Sequence, residues 1–199
     1  MITLYHAPRS RSSRIIWLLE ELEAPYEIEI VPILRGDGTG APAPDGYLAV
    51  NPLRKVPAIK LYDEIVYESA AICLFLTDSH QKHPMGPLPG ERGRADYVRW
   101  LFFYSGALEP AATAHFQGWD KEKPTGFGKL EDIEAVISKQ LEATPYLLGD
   151  KFCAADILFG SAIMYFKGSL FPEKKHYDDY VARLTARPAF QRSQAKDNG

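Results

Sequence analysis

Glu68 and Ser69 stand directly before an apolar, helix-like segment, Ala70 to Leu76, and Val56-Pro57 leads into a short apolar run, Ala58 to Leu61. A helix start collects backbone N–H groups that have no partner within the helix, so it attracts a carboxylate. Glu68 beside it can hold an amine. One site for both an amine and a carboxylate suits an amino-acid-like head group. Proline has no N–H to give a ladder and belongs at the first residue of a strand. With the Val56-Pro57 bond cis, the N–H and C=O of Val56 turn outward and can pair with an extended peptide, as an added strand would.

The elements that must hold these groups are legible around them. Ala58 to Leu61, a turn at Asp63-Glu64 and Ile65 to Tyr67 read as a β-hairpin that feeds a helix. Upstream, Ile2 to Tyr5 reads as a strand. Ser10 to Glu23 reads as a helix, with Ile15, Ile16, Leu18, Leu19 and Leu22 at helical spacing. Ala24-Pro25 stops it, and Tyr26 to Val31 alternates as a half-buried strand does. This β-α-β order implies parallel strands. Residues 35–46 are a loop by composition, and Tyr47 to Val50 a helical turn. A Pro/Gly-rich stretch follows near residue 80, and beyond it the pattern is helical: Arg92 to Gln117, Lys129 to Ala143, Ala154 to Lys167, Lys174 to Thr185 and a short helix after Pro188. The expected organisation is an α/β domain over 1–80, a linker over 81–91 and an all-helical domain over 92–199.

Composition narrows the function classes. The net charge of −3 argues against nucleic acid or a membrane surface as partner, since either calls for a basic patch. No apolar run approaches a membrane span, and Met-Ile-Thr-Leu-Tyr-His begins as a strand, without a signal peptide's regions. The two cysteines, Cys73 and Cys153, form no Cys-x-x-Cys pair, so no disulfide framework, zinc cluster or other metal site is expected. They read as reduced, buried thiols of a cytoplasmic protein.

The pattern Asn51-Pro52-x-x-Lys55-Val56-Pro57-Ala58, followed by Glu68-Ser69, resembles the glutathione-binding half of the cytosolic glutathione S-transferases. Their first domain is thioredoxin-like and their second helical, a division that matches the whole chain. Arg54 departs from the small residue the family favours. A second match is Leu147-Leu148-Gly149-Asp150-Lys151-Phe152-Cys153-Ala154-Ala155-Asp156-Ile157, where the family has Ser or Thr as a helix cap. A thiol at Cys153 accepts weakly, an expected loss of about 1 kcal/mol relative to Ser.

The resemblance implies glutathione as co-substrate. Val56 would pair with its cysteinyl part, and Glu68 and Ser69 would hold the γ-glutamyl amine and carboxylate. Lys55 would meet the glycyl carboxylate or a flanking phosphate-like charge, or remain a solvated lysine. The family places a Tyr, Ser or Cys after the first strand to meet the sulfur. Aligning Tyr5, Pro8 and Arg14 with serine-type members puts Ser10 there, while the bacterial cysteine-type register puts Arg11 there, and Ser12 is a third candidate. The run Ser10-Arg11-Ser12-Ser13-Arg14 most resembles a fungal and bacterial branch with Ser-Arg-x-x-Arg. Ser10 or Ser12 reads equally as the cap of the first helix. A free thiol titrates at about 8.5, so a hydroxyl donor at a helix start would favour its thiolate. Tyr104 and Leu108, one turn apart, are the candidates for an electrophile pocket. His6 lies near the site, but nothing in the sequence gives it a catalytic partner. The implied protein is a homodimeric transferase that adds the glutathione thiolate to small electrophiles or reduces peroxides, with no metal, nucleic acid or membrane. The alternatives are a glutathione-dependent isomerase or dehalogenase, or a non-catalytic glutathione-binding interaction module.

Overall fold

The computed structural model describes residues 1–80, 82–119 and 126–197, so Gln81 of the expected linker and the last residues of the expected helical domain lie outside the described residues. The chain divides into two compact units, Met1–Pro84 together with the segment from Arg187 onward, and Met85–Ala186.

The first unit is built on a four-stranded sheet, ordered β2-β1-β3-β4, from β1 (Ile2–His6), β2 (Tyr26–Ile30), β3 (Ala58–Leu61) and β4 (Glu64–Tyr67). β1 runs parallel to β2, and β3 is antiparallel to both β1 and β4. Helix α1 (Ser13–Glu21) makes the crossover between the parallel strands, a 3-10 turn spans Asp45–Ala49, and α2 (Ser69–Ser79) follows the hairpin. Ile15, Ile16, Leu18 and Leu19 bury the inner face of α1, which its spacing predicts. The helix begins later than Ser10 because the serines before it spend their hydroxyls on a turn, described below. The hairpin turn falls one position early, at Tyr62-Asp63, with Tyr62 in the left-handed region (φ 56) and β4 opening at Glu64. This is a thioredoxin-like domain.

The second unit is helical: α3 (Arg94–Phe103), α4 (Glu109–Gln117), α5 (Leu130–Ala143), α6 (Ala154–Tyr165) and α7 (Lys175–Thr185). The single helix expected over Arg92 to Gln117 is interrupted by one π-helical turn, Tyr104–Leu108. Pro110 supplies the cause. It cannot donate to the carbonyl one turn before it, and its ring clashes there, so the ladder must widen. Gly86 is required by close packing: a Cβ at that position would lie 2.7 Å from the Tyr97 ring. Asp156 anchors the unit. Its buried carboxylate accepts from the Leu147 N–H (2.9 Å), the Cys153 N–H (2.8 Å) and the Tyr180 hydroxyl (2.8 Å). Both halves of the capping box are present, with the Cys153 sulfur accepting from the N3 backbone. No described helix is long and apolar enough to cross a membrane.

The last helix, α8 (Pro188–Asp197), packs on α1 and so groups with the first unit, although by position it falls in the segment expected to be the helical domain. The Trp17 and Phe190 rings meet edge-on at 4.9 Å. Arg187 donates to both oxygens of Glu21 at 2.6 and 2.7 Å, the fork geometry that makes arginine–carboxylate pairs strong. Glu20, almost fully buried, accepts from Arg192, Lys196 and the Tyr26 hydroxyl.

Candidate functional site

Strand register sets the site. Tyr5 of β1 lies across from Ala58 of β3, and Ala58 lies across from Tyr67 of β4. One step further along each strand come the turn after His6, the Val56-Pro57 step and the Glu68-Ser69 pair. The groups read from three separate stretches of sequence therefore share one end of one sheet.

The Val56-Pro57 bond is cis. The preceding carbonyl, that of Lys55, accepts from the Tyr47 hydroxyl (2.9 Å) and the Asn51 side-chain amide (2.8 Å). Asn51 is buried, and its own carbonyl oxygen accepts from the Leu53 N–H at 3.0 Å. These two side chains clamp the approach to Val56, a positioning role that residue types alone did not assign. The Asn51-Pro52 step of the motif was the available signal. Arg54 sits in the left-handed region (φ 55) and donates to the Ala43 carbonyl and the Asp45 carboxylate, which ties the loop where a smaller residue was expected. The Lys55 side chain is exposed.

Glu68 is the residue before α2, exposed, with φ 75 and ψ 122. That is outside the left-handed helical basin and is a strained conformation for a residue with a Cβ. Its carbonyl accepts the first helical bond, from the Ile72 N–H at 2.9 Å. Ser69 is the first helical residue and is buried. Glu68 therefore stands at a helix start whose first N–H groups have no partner within the helix.

The three candidates for the sulfur contact differ sharply. Ser12 is fully buried. It occupies the cap position of α1, its carbonyl accepting from Ile15 at 2.9 Å, yet its hydroxyl makes no cap bond. Instead the hydroxyl turns back to His6 Nδ1 (2.7 Å) and the Ala7 N–H (3.1 Å). It has no surface to offer a ligand, which removes it as the group that meets a sulfur. Arg11 is exposed. Ser10 is half-buried, with its Oγ 2.7 Å from Ser12 Oγ and accepting from the Ser12 N–H at 3.1 Å.

His6 has the partners that the sequence could not name. It is fully buried. Its Nε2 faces two acceptors of one residue, the Asp197 carbonyl (3.2 Å) and carboxylate Oδ1 (3.5 Å). Acceptors alone require the proton on Nε2, which leaves Nδ1 to accept from Ser12. Burial lowers the imidazole's pKa, against the opposing pull of the Asp197 carbonyl and carboxylate. The alternation Ile2, Leu4, His6 along β1 placed His6 on a buried face and was the signal that could have marked it.

Tyr104 and Leu108 are core residues, 2% and 3% exposed, not open pocket walls. Tyr104 packs edge-on against Phe159 at 5.4 Å and donates to Glu109 at 3.0 Å. A surface hollow in the second unit, lined by Ile163, Phe171, Tyr177 and Val181, includes neither of them. Cys73 and Cys153 are buried free thiols, and burial pushes the Cys73 thiol up to about 12, so neither is an activated nucleophile. Among the described residues no cluster of His, Cys, Asp or Glu could hold a metal.

Residues 9–79 match the glutathione S-transferase N-terminal domain. Glutathione S-transferase 3 of Schizosaccharomyces pombe is 40% identical over 116 residues, which take in 55% of this chain and 43% of that protein, so the chain spans less than half of that relative. A solved glutathione transferase of Methylococcus capsulatus superposes with a TM-score of 0.79 at 25% identity, covering 100% of this chain and 99% of that one. The chain carries a glutathione S-transferase N-terminal domain. The family domain takes in Ser10, Val56, Pro57, Glu68 and Ser69, while His6 and Asp197 lie outside the matched residues. Another relative, the disulfide-bond oxidoreductase YfcG of Escherichia coli, is 29% identical over 79% of this chain and 76% of its own length.

Proposed function

We propose that this protein is a glutathione transferase. Glutathione pairs its cysteinyl backbone with Val56, sets its γ-glutamyl amine on Glu68 and its carboxylate at the start of α2 beside Ser69, and turns its glycyl carboxylate toward Lys55. Ser10 donates to the sulfur, and the thiolate adds to a small electrophile. A bound thiolate gains from orientation as well as from activation.

The observation that carries this reading is the register: the turn holding Ser10, the Val56-Pro57 step and Glu68-Ser69 lie at one end of the sheet. The strained Glu68 conformation supports it, since such strain collects at ligand sites. Calorimetry of glutathione on the wild type and on Glu68→Ala tests the site. Loss of a charge-assisted bond to the amine should weaken binding roughly 10- to 100-fold. Equal affinities would refute the role of Glu68, and no binding by the wild type would refute the function. Unchanged turnover in Ser10→Ala would refute the assignment of Ser10. The same reading includes a cytoplasmic homodimer, which cell fractionation and light scattering would check.

A further inference from the structure

We propose that Asp197, His6, Ser12 and Ser10 form a proton relay that carries the thiol proton of bound glutathione away from the site and into the protein, with His6 as its acceptor.

The geometry gives a continuous chain. Ser10 Oγ and Ser12 Oγ are 2.7 Å apart, Ser12 Oγ and His6 Nδ1 are 2.7 Å apart, and His6 Nε2 faces Asp197. Ser10, the half-buried member, is the chain's opening, while Ser12 and His6 are fully buried. Each resting hydrogen bond points inward. Nδ1 accepts, and at 2.7 Å it is a nearer acceptor for the Ser12 hydrogen than the Ala7 carbonyl at 3.2 Å, so Ser12 donates to it. The Ser12 oxygen already takes the Ala7 N–H, and its remaining lone pair takes the Ser10 hydroxyl hydrogen. A thiol bound at Ser10 donates to the Ser10 oxygen and completes the line.

Moving one proton along this line reverses every bond and breaks none. The S–H bond breaks as Ser10 takes its proton, Ser10 gives its own to Ser12, and Ser12 gives its own to Nδ1. The products are a thiolate that accepts from Ser10 and an imidazolium that donates to Ser12 at one nitrogen and to Asp197 at the other. No atom or electron is gained or lost. Without reversal, Ser10 is committed inward and has no hydrogen for the thiolate. The relay therefore explains how one hydroxyl serves both a neighbouring serine and a sulfur.

A second observation points the same way. Asp197 is buried, its Oδ2 accepts from the Arg9 N–H at 3.2 Å, and its Oδ1 finds no hydrogen-bond partner among the described residues. An orphaned buried carboxylate oxygen is costly and calls for an explanation. It lies 3.5 Å from His6 Nε2, where an imidazolium would compensate it. Among the described residues, the charged group facing His6 is this carboxylate, and its other bonded neighbours, the Ser12 hydroxyl and the Asp197 carbonyl, are neutral. Burial outweighs the pull of Asp197 while the site is empty, so the added attraction of the bound thiolate is what must draw the proton onto the imidazole.

This inference rests on glutathione binding at Ser10, and the test separates the two. The protein is labelled with nitrogen-15 histidine, His6 is assigned by its absence in His6→Asn, and spectra are recorded with glutathione and with S-methylglutathione, which has no thiol proton. Between the pH at which the bound sulfur ionises and the pH at which the imidazolium loses its proton, glutathione should shift His6 Nδ1 from acceptor to protonated, and S-methylglutathione should leave it unchanged. In parallel, ultraviolet absorbance reports the bound thiolate against pH. His6→Asn keeps an acceptor for Ser12 but cannot hold a proton, and Asp197→Asn removes the compensating charge while keeping the fold's hydrogen bonds. In each, the bound-thiol pKa should rise by about one unit, a tenfold loss of thiolate at neutral pH, with affinity for S-methylglutathione unchanged. Binding with the same Nδ1 signal for both ligands, or an unaltered thiol pKa in Asp197→Asn, would overturn the relay alone. Failure of the wild type to bind either ligand would overturn it together with the proposed function.

Discussion

Glu20→Gln should loosen α8 from the first unit, and its cost can be worked from the geometry. Glu20 is 7% exposed and accepts from Arg192 Nε at 2.7 Å, from the Tyr26 hydroxyl at 2.7 Å and from Lys196. Burial works to raise its pKa, but the bonds from Lys196, Tyr26 and Arg192 outweigh that and bring it from 4.5 down to about 2. A drop of that size corresponds to about 3 kcal/mol of folding free energy. The two cations are half-exposed, at 49% each, so solvent screening brings the figure to about 2 kcal/mol. The sign follows from the direction. A carboxyl lowered on folding stabilises above its unfolded value, and the contribution is lost as pH falls from about 4.5 to about 2. Urea unfolding of wild type and Glu20→Gln should therefore differ by about 2 kcal/mol at neutral pH, with the gap closing at about pH 2 to 3. Glutamine leaves the cations free to turn to water, so no stranded charge inflates the result. A difference below about 0.5 kcal/mol at neutral pH, or one that persists undiminished in acid, would refute the reasoning.

Two further substitutions test local energetics. Cys153→Ser restores a stronger acceptor for the N3 N–H and keeps a donor for Asp156, so it should stabilise the protein by about 1 kcal/mol and raise the melting temperature by about 3 °C. An unchanged or lowered melting temperature would mean that the sulfur already satisfies the cap. Glu68→Gly removes the Cβ from a φ of 75 and should stabilise by about 1 kcal/mol after glycine's greater entropy loss. The same variant should bind glutathione at least about tenfold more weakly, and a gain in both properties would contradict the ligand role of this residue.

The parts of the site that sequence made visible are those set by local chemistry. A proline at a strand entrance, a turn between two apolar runs, and Glu-Ser before a helix each declare themselves within a few residues, and the fold kept all three. Alternation along β1 fixes which side chains face the core, but not what meets them there. His6 is the case in point. Its spacing from Ile2 and Leu4 marks it as buried, yet its partner, Asp197, is 191 residues away in the chain. That contact depends on α8 docking on α1 through Glu20, Glu21 and Trp17, and the sequence after Pro188 signals only a short polar helix. Ser12 fails for a different reason. A serine before a helix can cap it or bond backward, and the two outcomes have the same local sequence. Here the backward bond wins, with the buried imidazole and the Ala7 carbonyl both offering acceptors to the hydroxyl. The hydroxyl that looked like a cap thus belongs to a chain of polar groups running from α8 through the core to Ser10. The proposed relay thus couples the docking of a remote helix to the protonation of bound glutathione: a variant that frees α8 without touching the ligand groups should also lose thiolate, read by ultraviolet absorbance.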